Sequence, residues 1–339
     1  MFISASVGVA TGYPGQTTPD ALMRDADTAL YHAKWNGRNR YEVFDPAMRQ
    51  RERDRLRLEG DLRRAVDQGA LTLAYQPIMD LATGKAIAVE ALLRWHHPEL
   101  GDISPAEFVS IAEESGLIVP IGRWVIGEAC RQTAAWRANG LPDLAVNVNI
   151  SVRQFDDAGL VEHLHRTLTA TGLPPAALCL EITETLLMKN VAQTIEILDQ
   201  FSTLGVRTAI DDFGAGNSSL RYLKDFPVDV IKVDCSIVAE LGRSPSSTAI
   251  FEAIIMLGNT LHIDITAEGI ETSRQLRILT DLHCPTGQGF FLTEPLPTDE
   301  VPGRLLPPMS VDTGVRLPAH YAPGSRAERP AVVRTAPRP

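Results

Sequence analysis

Two adjacent carboxylates, Asp211 and Asp212, directly follow the apolar run Val206–Ile210, which predicts a short buried strand. Gly214 and Gly216 come next, so we expect the chain to turn sharply there. Adjacent acids at the end of a strand repel each other unless a cation lies between them. The stretch could therefore hold a metal ion, although on these residues alone a solvated turn is the favoured interpretation.

The same arrangement recurs along the chain, because polar side chains stand near the C-terminal ends of several strand-like runs. The set comprises Glu90, Asn149, Glu181, Glu184, Asp211, Asp212, Lys232, Asp234, Glu268, Glu271 and Gln288. In a parallel barrel these ends converge on one mouth, where barrel enzymes have their active sites. Any one of these residues is more often a turn residue, whereas the whole set indicates a site.

This set consists of carboxylates, two amides and one lysine, without histidine or cysteine. Such oxygen ligands suit magnesium or manganese and do not suit zinc or copper. Two such ions bridged by carboxylates form a site for in-line phosphoryl displacement. Lys232 and Asp234 are two residues apart on a predicted strand, so they should point the same way. Lys232 either polarises the attacking water or balances the negative charge, and the pattern leaves both roles open.

From residue 71 strand-like and helix-like runs alternate. The predicted strands are Leu73–Ile78, Ala86–Leu93, Ala145–Ile150, Leu178–Ile182, Val206–Ile210, Val228–Val233, Ile263–Ala267 and Gly287–Leu292. Eight strands with intervening helices favour a (β/α)8-type barrel. The rival is an open doubly wound sheet, which would require a glycine-rich phosphate loop after the first strand, and the sequence has none there.

The helices are bounded by recognisable capping residues. Ser104, Pro105 and Glu107 form the pattern of a capping box with proline at the first helical position. Asn190 is the predicted N-cap of a later helix, which Gly205 should end.

Composition narrows the class of protein. The net charge of −10 argues against broad binding to nucleic acid polymers. No apolar run approaches the ~20 residues that a membrane-spanning helix needs. The first residues lack the basic segment of a signal peptide. The four well-separated cysteines, Cys130, Cys179, Cys235 and Cys284, are typical of free thiols in a reducing cytoplasm.

The N-terminal segment predicts a strand over residues 2–10, a helix from Thr18-Pro19 to Gly37, and a strand over Arg38–Phe44. These elements bury too little surface for an independent core. The runs ASVGVA and DADTALYHAKWNGRNRYEVF resemble the C-terminal end of a GGDEF (diguanylate cyclase) domain over residues 1–45. That family's nucleotide site lies outside this segment, so we expect no cyclase activity from it.

Residues 46–70 are charged and helical in pattern, which predicts a connecting helix. A basic arm for nucleic acid is the alternative, which the interleaved acidic residues disfavour. From about residue 306 the chain is rich in proline, arginine and alanine, so we expect a disordered tail over 306–339.

Six segments in order resemble the successive motifs of the EAL family of cyclic di-GMP phosphodiesterases. They are YQPIMDLATGKAIAVEALLRWHHPELG, VNVNISVRQF, LCLEITET, GVRTAIDDFGAGNSSLRYLKDFPVDVIKVD, ITAEGIET and GQGFFLTEPLP. The resemblance covers about residues 54–305, which leaves 46–53 as a helical linker. It implies a modified TIM (β/α)8 barrel that hydrolyses cyclic di-GMP to linear 5′-pGpG with two magnesium or manganese ions. It also implies a homodimer formed through the barrel and a cytoplasmic location, with a parent protein that could be tethered to a membrane.

The resemblance also assigns roles to individual residues. Lys232 matches the lysine that positions the nucleophilic water, and Glu268 matches a metal-site or general-base glutamate. Glu184 matches the glutamate that holds the loop after the paired aspartates. The positions that match metal ligands, or the metal and water network, are Glu90, Asn149, Glu181, Asp211, Asp212, Glu268, Glu271 and Gln288. The positions that match substrate contacts are Gln76, Arg94 and Asp234.

Four positions depart from the family pattern: Ala215, Asn217, Cys235 and Pro285. None removes a ligand, so we expect hydrolysis. The altered loop at Ala215 and Asn217 supports the alternative of a non-catalytic cyclic di-GMP receptor or a protein-interaction module. A third interpretation is an enolase-like barrel in which Lys232 abstracts a carbon-bound proton.

Overall fold

The computed structural model of the chain describes residues 4–13, 18–35, 39–215, 223–243 and 245–305. Compact packing divides the chain into two units. The first unit comprises residues 1–74, 91–132 and 148–172, and the second comprises 75–90, 133–147 and 173–339. Across the described ranges, no helix combines the length and the hydropathy that crossing a membrane requires.

The first unit begins with a small parallel sheet covered by a helix. Strand β1 (Val7–Val9) pairs with β2 (Tyr41–Val43), and α1 (Pro19–Trp35) joins them. The backbone of Gly8 lies so close to α1 that a β-carbon there would be 2.0 Å from the Ala26 carbonyl oxygen. These elements follow the predicted order, with strands shorter than predicted, and the resemblance to a GGDEF domain stays a prediction.

The predicted helix start at Thr18 is confirmed, since its Oγ1 accepts a hydrogen bond from Ala21 N at 3.3 Å. The predicted stop at Gly37 lies outside the described residues. The connecting helix is also confirmed as α2 (Pro46–Gln68), which Asp45 caps and Gly69 ends at φ 67°. This helix is continuous across the predicted boundary between residues 53 and 54.

The first unit also contains β5 (Gly101–Ile103), α3 (Pro105–Ser115), α5 (Val152–Phe155) and α6 (Leu160–Thr171), together with part of α4 (Ile118–Ala138). Pro105 begins α3 as predicted, but the predicted capping box is wrong. The Ser104 side chain makes no bond to the helix, because Glu107 N already donates to the Ser104 backbone carbonyl at 3.0 Å.

Eight strands form the barrel, and each contributes residues to the second unit. They are β3 (Leu71–Asp80), β4 (Ala86–His97), β6 (Ala145–Asn149), β7 (Leu178–Thr183), β8 (Arg207–Phe213), β9 (Val230–Val233), β10 (Asp264–Ala267) and β11 (Thr286–Gly287). Their order is β3-β11-β10-β9-β8-β7-β6-β4, and a pairing between β3 and β4 closes the ring. The predicted modified barrel is therefore confirmed.

The helices of the second unit that follow β7 lie between or after the barrel strands. They are α7 (Glu184–Leu187), α8 (Val191–Leu204), α9 (Cys235–Ala239), α10 (Pro245–Leu261), α11 (Ser273–Asp281) and α12 (Val301–Leu305), and a short strand β12 (Leu296–Pro297) pairs with β3. Gly205 ends α8 in the left-handed conformation, as predicted. Asn190 stands at the N-cap position, but its side chain bonds to Gln193 and makes no cap hydrogen bond.

The barrel departs from regular alternation at its first and last strands. Strand β3 runs antiparallel to β11, and a short turn over residues 81–85 joins β3 to β4 without a helix. The last predicted strand, Gly287–Leu292, is wrong beyond Gly287. Residues after it turn back on themselves, because Leu292 N and Thr293 N both donate to the Gly289 carbonyl at 3.0 Å.

Strand β8 continues beyond its predicted end at Ile210, so Asp211 and Asp212 lie inside the strand. Between Ile210 and Phe213 this strand has one more residue than its partner β9, which defines a β-bulge. Asp212 has φ 53° at this bulge. Bulges re-aim side chains locally, so the paired acids are presented differently from regular strand residues.

Candidate active site

A buried lysine forms the centre of the site. Lys232 lies on β9, and its side chain is 1% exposed. Its Nζ lies near carboxylate oxygens from four other segments: Glu268 at 2.8 Å, Glu181 at 2.9 Å, Asp211 at 3.1 Å and Glu90 at 3.2 Å. A buried charge is strongly destabilising unless it is paired, and this lysine is paired several times over.

The charges in this cluster do not balance. One ammonium group with three N–H donors faces four carboxylates. Burial raises the pKa of Glu181, and the nearby Glu90 carboxylate raises it further. Burial, opposed by Lys232, also raises the pKa of Glu268, to about 7. Burial alone would lower the pKa of Lys232, but the surrounding carboxylates outweigh it and hold that pKa well above its usual value.

The bulge of β8 brings further acidic oxygens together. Asp211, Asp212 and Glu268 each offer one carboxylate oxygen, and these three atoms lie within 4.8 Å of one another. Burial raises the pKa of Asp212, and the neighbouring Asp211 carboxylate raises it further. The three residues are therefore a candidate metal-ligand group.

Several buried oxygen atoms of the cluster have no hydrogen-bond donor within the described part of the chain. They are Glu181 Oε2 and Gln288 Oε1, together with Asp211 Oδ1, which approaches Lys232 Nζ without hydrogen-bond geometry. Buried polar atoms in proteins are almost always satisfied. A hard divalent cation would satisfy such oxygens and neutralise the excess negative charge, so these residues fit magnesium or manganese.

Gln288 connects two of the carboxylates. Its Nε2 donates to Glu90 Oε2 at 2.8 Å and to Glu268 Oε1 at 3.0 Å. The side chain is buried directly after the two-residue strand β11. The amide therefore fixes the orientation of both glutamates.

The structure shows one residue that the sequence patterns did not single out. Asn147 on β6 is 7% exposed, and its Nδ2 donates to Glu181 Oε1 at 2.8 Å. The run VNVN contains two asparagines on the same face of a strand, and only Asn149 was assigned a role. Alternation could have identified Asn147 as a second candidate.

Thus seven predicted residues meet in the second unit: Glu90, Glu181, Asp211, Asp212, Lys232, Glu268 and Gln288. Asp234 has a different contact, since its carboxylate caps α9 by accepting from Ser236 N at 2.9 Å. Glu184 begins α7, and the Glu271 side chain is exposed. Gln76 is buried and donates from Nε2 to the Thr293 carbonyl at 3.2 Å.

Two predicted residues belong to the first unit. Asn149 is the exposed last residue of β6. Arg94 is half-buried on β4, where its Nη1 donates to the Leu93 carbonyl at 3.0 Å. Their predicted roles as a metal ligand and a substrate contact stay predictions.

The four residues that depart from the family's sequence pattern have different surroundings in the structure. Ala215 and Cys235 are exposed, and the Pro285 carbonyl accepts a hydrogen bond from Leu81 N at 3.0 Å. Asn217 lies outside the described residues. The expectation of free cysteines is confirmed for all four.

The chain therefore forms a closed barrel in which carboxylates from several strands surround a buried lysine. Such an acidic centre is typical of sites that bind divalent cations. Comparison with known families gives a more specific answer. Residues 59–295 match the EAL domain, and the chain belongs to this family.

Curated relatives include the bifunctional diguanylate cyclase/cyclic di-GMP phosphodiesterase MucR of Pseudomonas aeruginosa. It is 45% identical over 300 residues, which cover 88% of this chain and 44% of MucR. The cyclic di-GMP phosphodiesterase PdeR of Escherichia coli is 39% identical over 297 residues, which cover 88% of this chain and 45% of PdeR. This chain therefore spans less than half the length of these two relatives.

Solved structures show the same fold. The phosphodiesterase PaMucR in complex with c-di-GMP is 44% identical with a TM-score of 0.70, over 72% of this chain and 99% of that chain. The EAL domain of Mycobacterium smegmatis DcpA is 36% identical with a TM-score of 0.60, over 70% of this chain and 96% of that chain.

Proposed function

We propose that this chain is a metal-dependent phosphodiesterase that hydrolyses cyclic di-GMP to linear 5′-pGpG. The observation that carries the proposal is the cluster around Lys232. Among the described residues it has more carboxylates than cations, and several of its buried oxygens lack donors there. The names of MucR and PdeR supply the substrate, because both relatives are called cyclic di-GMP phosphodiesterases.

The residues that would hold two magnesium or manganese ions are Glu90, Asn149, Glu181, Asp211, Asp212 and Glu268, with Glu271 and Gln288 in the surrounding water network. When bound, such ions supply a nucleophilic water and stabilise negative charge on the phosphate. The proposal places the substrate contacts at Gln76, Arg94 and Asp234. A guanidinium such as that of Arg94 suits a phosphate because it can donate to two oxygens at once.

In the proposed reaction water adds to phosphorus and the bond from phosphorus to the 3′ oxygen breaks. Glu268 is proposed to accept the proton of the water, as a positioned carboxylate does in general-base catalysis. Lys232 is proposed to keep its charge and to position the nucleophilic water from its place beside the carboxylates of Glu90, Glu181 and Glu268. The departing 3′ oxygen takes a proton from water, which gives a 5′-phosphate and a 3′-hydroxyl.

Glu184 is proposed to hold the loop that follows the paired aspartates. We also propose that the chain dimerises through the barrel. Helix α10 exposes Ile250 and Met256, which are large apolar side chains suited to such a contact. The proposed setting is the cytoplasm.

Incubation of the purified chain with cyclic di-GMP and magnesium or manganese, followed by chromatography, tests the function. We expect pGpG to appear with metal and to be absent when the metal is chelated. Tight binding of cyclic di-GMP without turnover would instead indicate a receptor, the function that the altered loop at Ala215 and Asn217 would suit. The absence of both binding and turnover would contradict both functions.

A further inference from the structure

The carboxylate of Glu181 is held asymmetrically. Its Oε1 accepts from Asn147 Nδ2 at 2.8 Å and lies 2.9 Å from Lys232 Nζ. Its Oε2 is buried and has no donor within the described residues. Each carboxylate oxygen has two lone pairs, so Oε1 has both engaged while Oε2 has both available.

We propose that Asn147 is a positioning residue that holds Glu181 so that Oε2 is presented to a divalent cation. The inference rests on the proposed metal-dependent function and adds a residue to it. Lys232 alone could not impose this orientation, because an ammonium group rotates and can bond to either carboxylate oxygen. Asn147 adds a second donor from a fixed direction on β6, which selects Oε1.

The chemistry of asparagine suits this position. Its amide is a neutral donor, so it orients Glu181 without adding charge to a cluster that already has four carboxylates around one lysine. An aspartate at this position would add a fifth carboxylate, and a leucine of similar size would leave Oε1 with Lys232 alone. Groups that orient metal ligands typically alter metal affinity by about 10- to 100-fold when they are replaced.

The test compares Asn147→Leu with the wild type by titration with Mn²⁺, read by the electron paramagnetic resonance signal of free Mn²⁺. We expect Mn²⁺ affinity to fall about 10- to 100-fold. The metal concentration that gives half-maximal hydrolysis of cyclic di-GMP should rise by the same factor, while kcat at saturating metal changes much less. Unchanged Mn²⁺ affinity in a folded Asn147→Leu protein would overturn the proposal.

Thr208→Val is the matched control. Thr208 is a buried polar residue of the same unit, and its Oγ1 donates to the Pro227 carbonyl at 3.3 Å, a group outside the cluster around Lys232. Loss of this bond should leave Mn²⁺ affinity unchanged, so a similar fall in both variants would assign the effect to general destabilisation and contradict the proposal. Asn147→Ser, which is smaller, replaces the leucine variant if that protein does not fold, with the same expected fall.

A double variant tests whether Asn147 acts through Glu181. In a Glu181→Ala background, Asn147→Leu should cause little further loss of Mn²⁺ affinity, and a full additional loss would contradict the proposal. The two hypotheses can fail separately. A wild type that binds Mn²⁺ without hydrolysing cyclic di-GMP overturns the proposed function only, whereas a wild type that binds no Mn²⁺ overturns both.

Discussion

Charged side chains meet in two regions of the chain, and their balance of charge differs. Around α2 in the first unit, Arg57 pairs with Glu99 at 2.5 Å, and both side chains are more than half exposed. Arg55 pairs with Glu114, which also accepts from the Tyr31 hydroxyl at 2.8 Å. In both pairs the cation meets a carboxylate, and an exposed pair such as Arg57–Glu99 stabilises a protein by about 0–1 kcal/mol.

The cluster around Lys232 differs in both respects. Its lysine and Glu181 side chains are 1% and 0% exposed, and one cation serves four carboxylates. Water cannot screen the repulsion there, so the excess charge must be removed by protons or by a bound cation. The Arg57–Glu99 and Arg55–Glu114 pairs are thus neutralised within the described residues, whereas the carboxylates around Lys232 exceed the cations that the described residues supply.

The largest expected effect comes from Glu90→Ala. Hydrolysis of cyclic di-GMP should fall by roughly 1,000-fold or more, because the proposed site loses a carboxylate ligand. The free energy of unfolding of the metal-free protein should stay within about 1 kcal/mol, because the change also removes one of four repelling charges. Chromatographic assays and chemical denaturation measure the two quantities. The matched control Glu99→Ala should keep wild-type activity, and substantial hydrolysis by Glu90→Ala would remove this residue from the metal site.

Lys232→Met should have the next largest effect. Turnover should fall roughly 100- to 1,000-fold, the range typical of losing one preorganised charged or hydrogen-bonding group from an active site. KM should change much less, because the lysine is assigned to the reaction and not to substrate affinity. Steady-state kinetics at saturating metal separates kcat from KM. A large rise in KM at unchanged kcat would contradict the assigned role. Arg57→Met, which removes the cation of the exposed Arg57–Glu99 pair, is the control and should keep wild-type kinetics.

The raised pKa of Glu268 predicts how stability depends on pH. Between its ordinary value of 4.5 and about 7, the folded carboxyl holds a proton that the unfolded carboxyl has lost. The folded state therefore binds more protons, and the stability of the metal-free protein should fall by up to about 3 kcal/mol as pH rises through this range. Lys232 stays charged throughout. Denaturation at pH 4.5, 6 and 7.5 in a chelator measures the fall.

Manganese should reverse this pH dependence, because a cation binds the ionised carboxylates and stabilises the folded state more as pH rises. Equal slopes with and without manganese would indicate that the buried cluster does not bind the metal.

Much of this site could be predicted from sequence, because strand ends in a barrel converge. The strand pattern and the polar character of the residues were enough to group Glu90, Glu181, Lys232 and Glu268. The position of Asp211 and Asp212 inside β8 could not be predicted, because a bulge depends on the register between two strands that are apart in sequence.

Asn147 illustrates a similar limit. Alternation places Asn147 and Asn149 on the same face of β6. Which asparagine reaches Glu181 depends on the stagger between β6 and its neighbour β7, and no local pattern encodes that stagger. The antiparallel pairing of β3 with β11 has the same origin, since it joins the two ends of the barrel sequence.

The smallest expected effect concerns the exposed ion pair between Arg57 and Glu99. Arg57→Ala and Glu99→Ala, alone or together, should each change the free energy of unfolding by less than about 1 kcal/mol. Their coupling should weaken further in high salt, because both side chains are exposed and salt screens such pairs. A double-mutant cycle in low and high salt measures this coupling. Strong coupling that salt does not weaken would mean that the Arg57–Glu99 pair behaves like a buried ion pair. The proposed difference between the exposed pairs around α2 and the buried cluster around Lys232 would then be wrong.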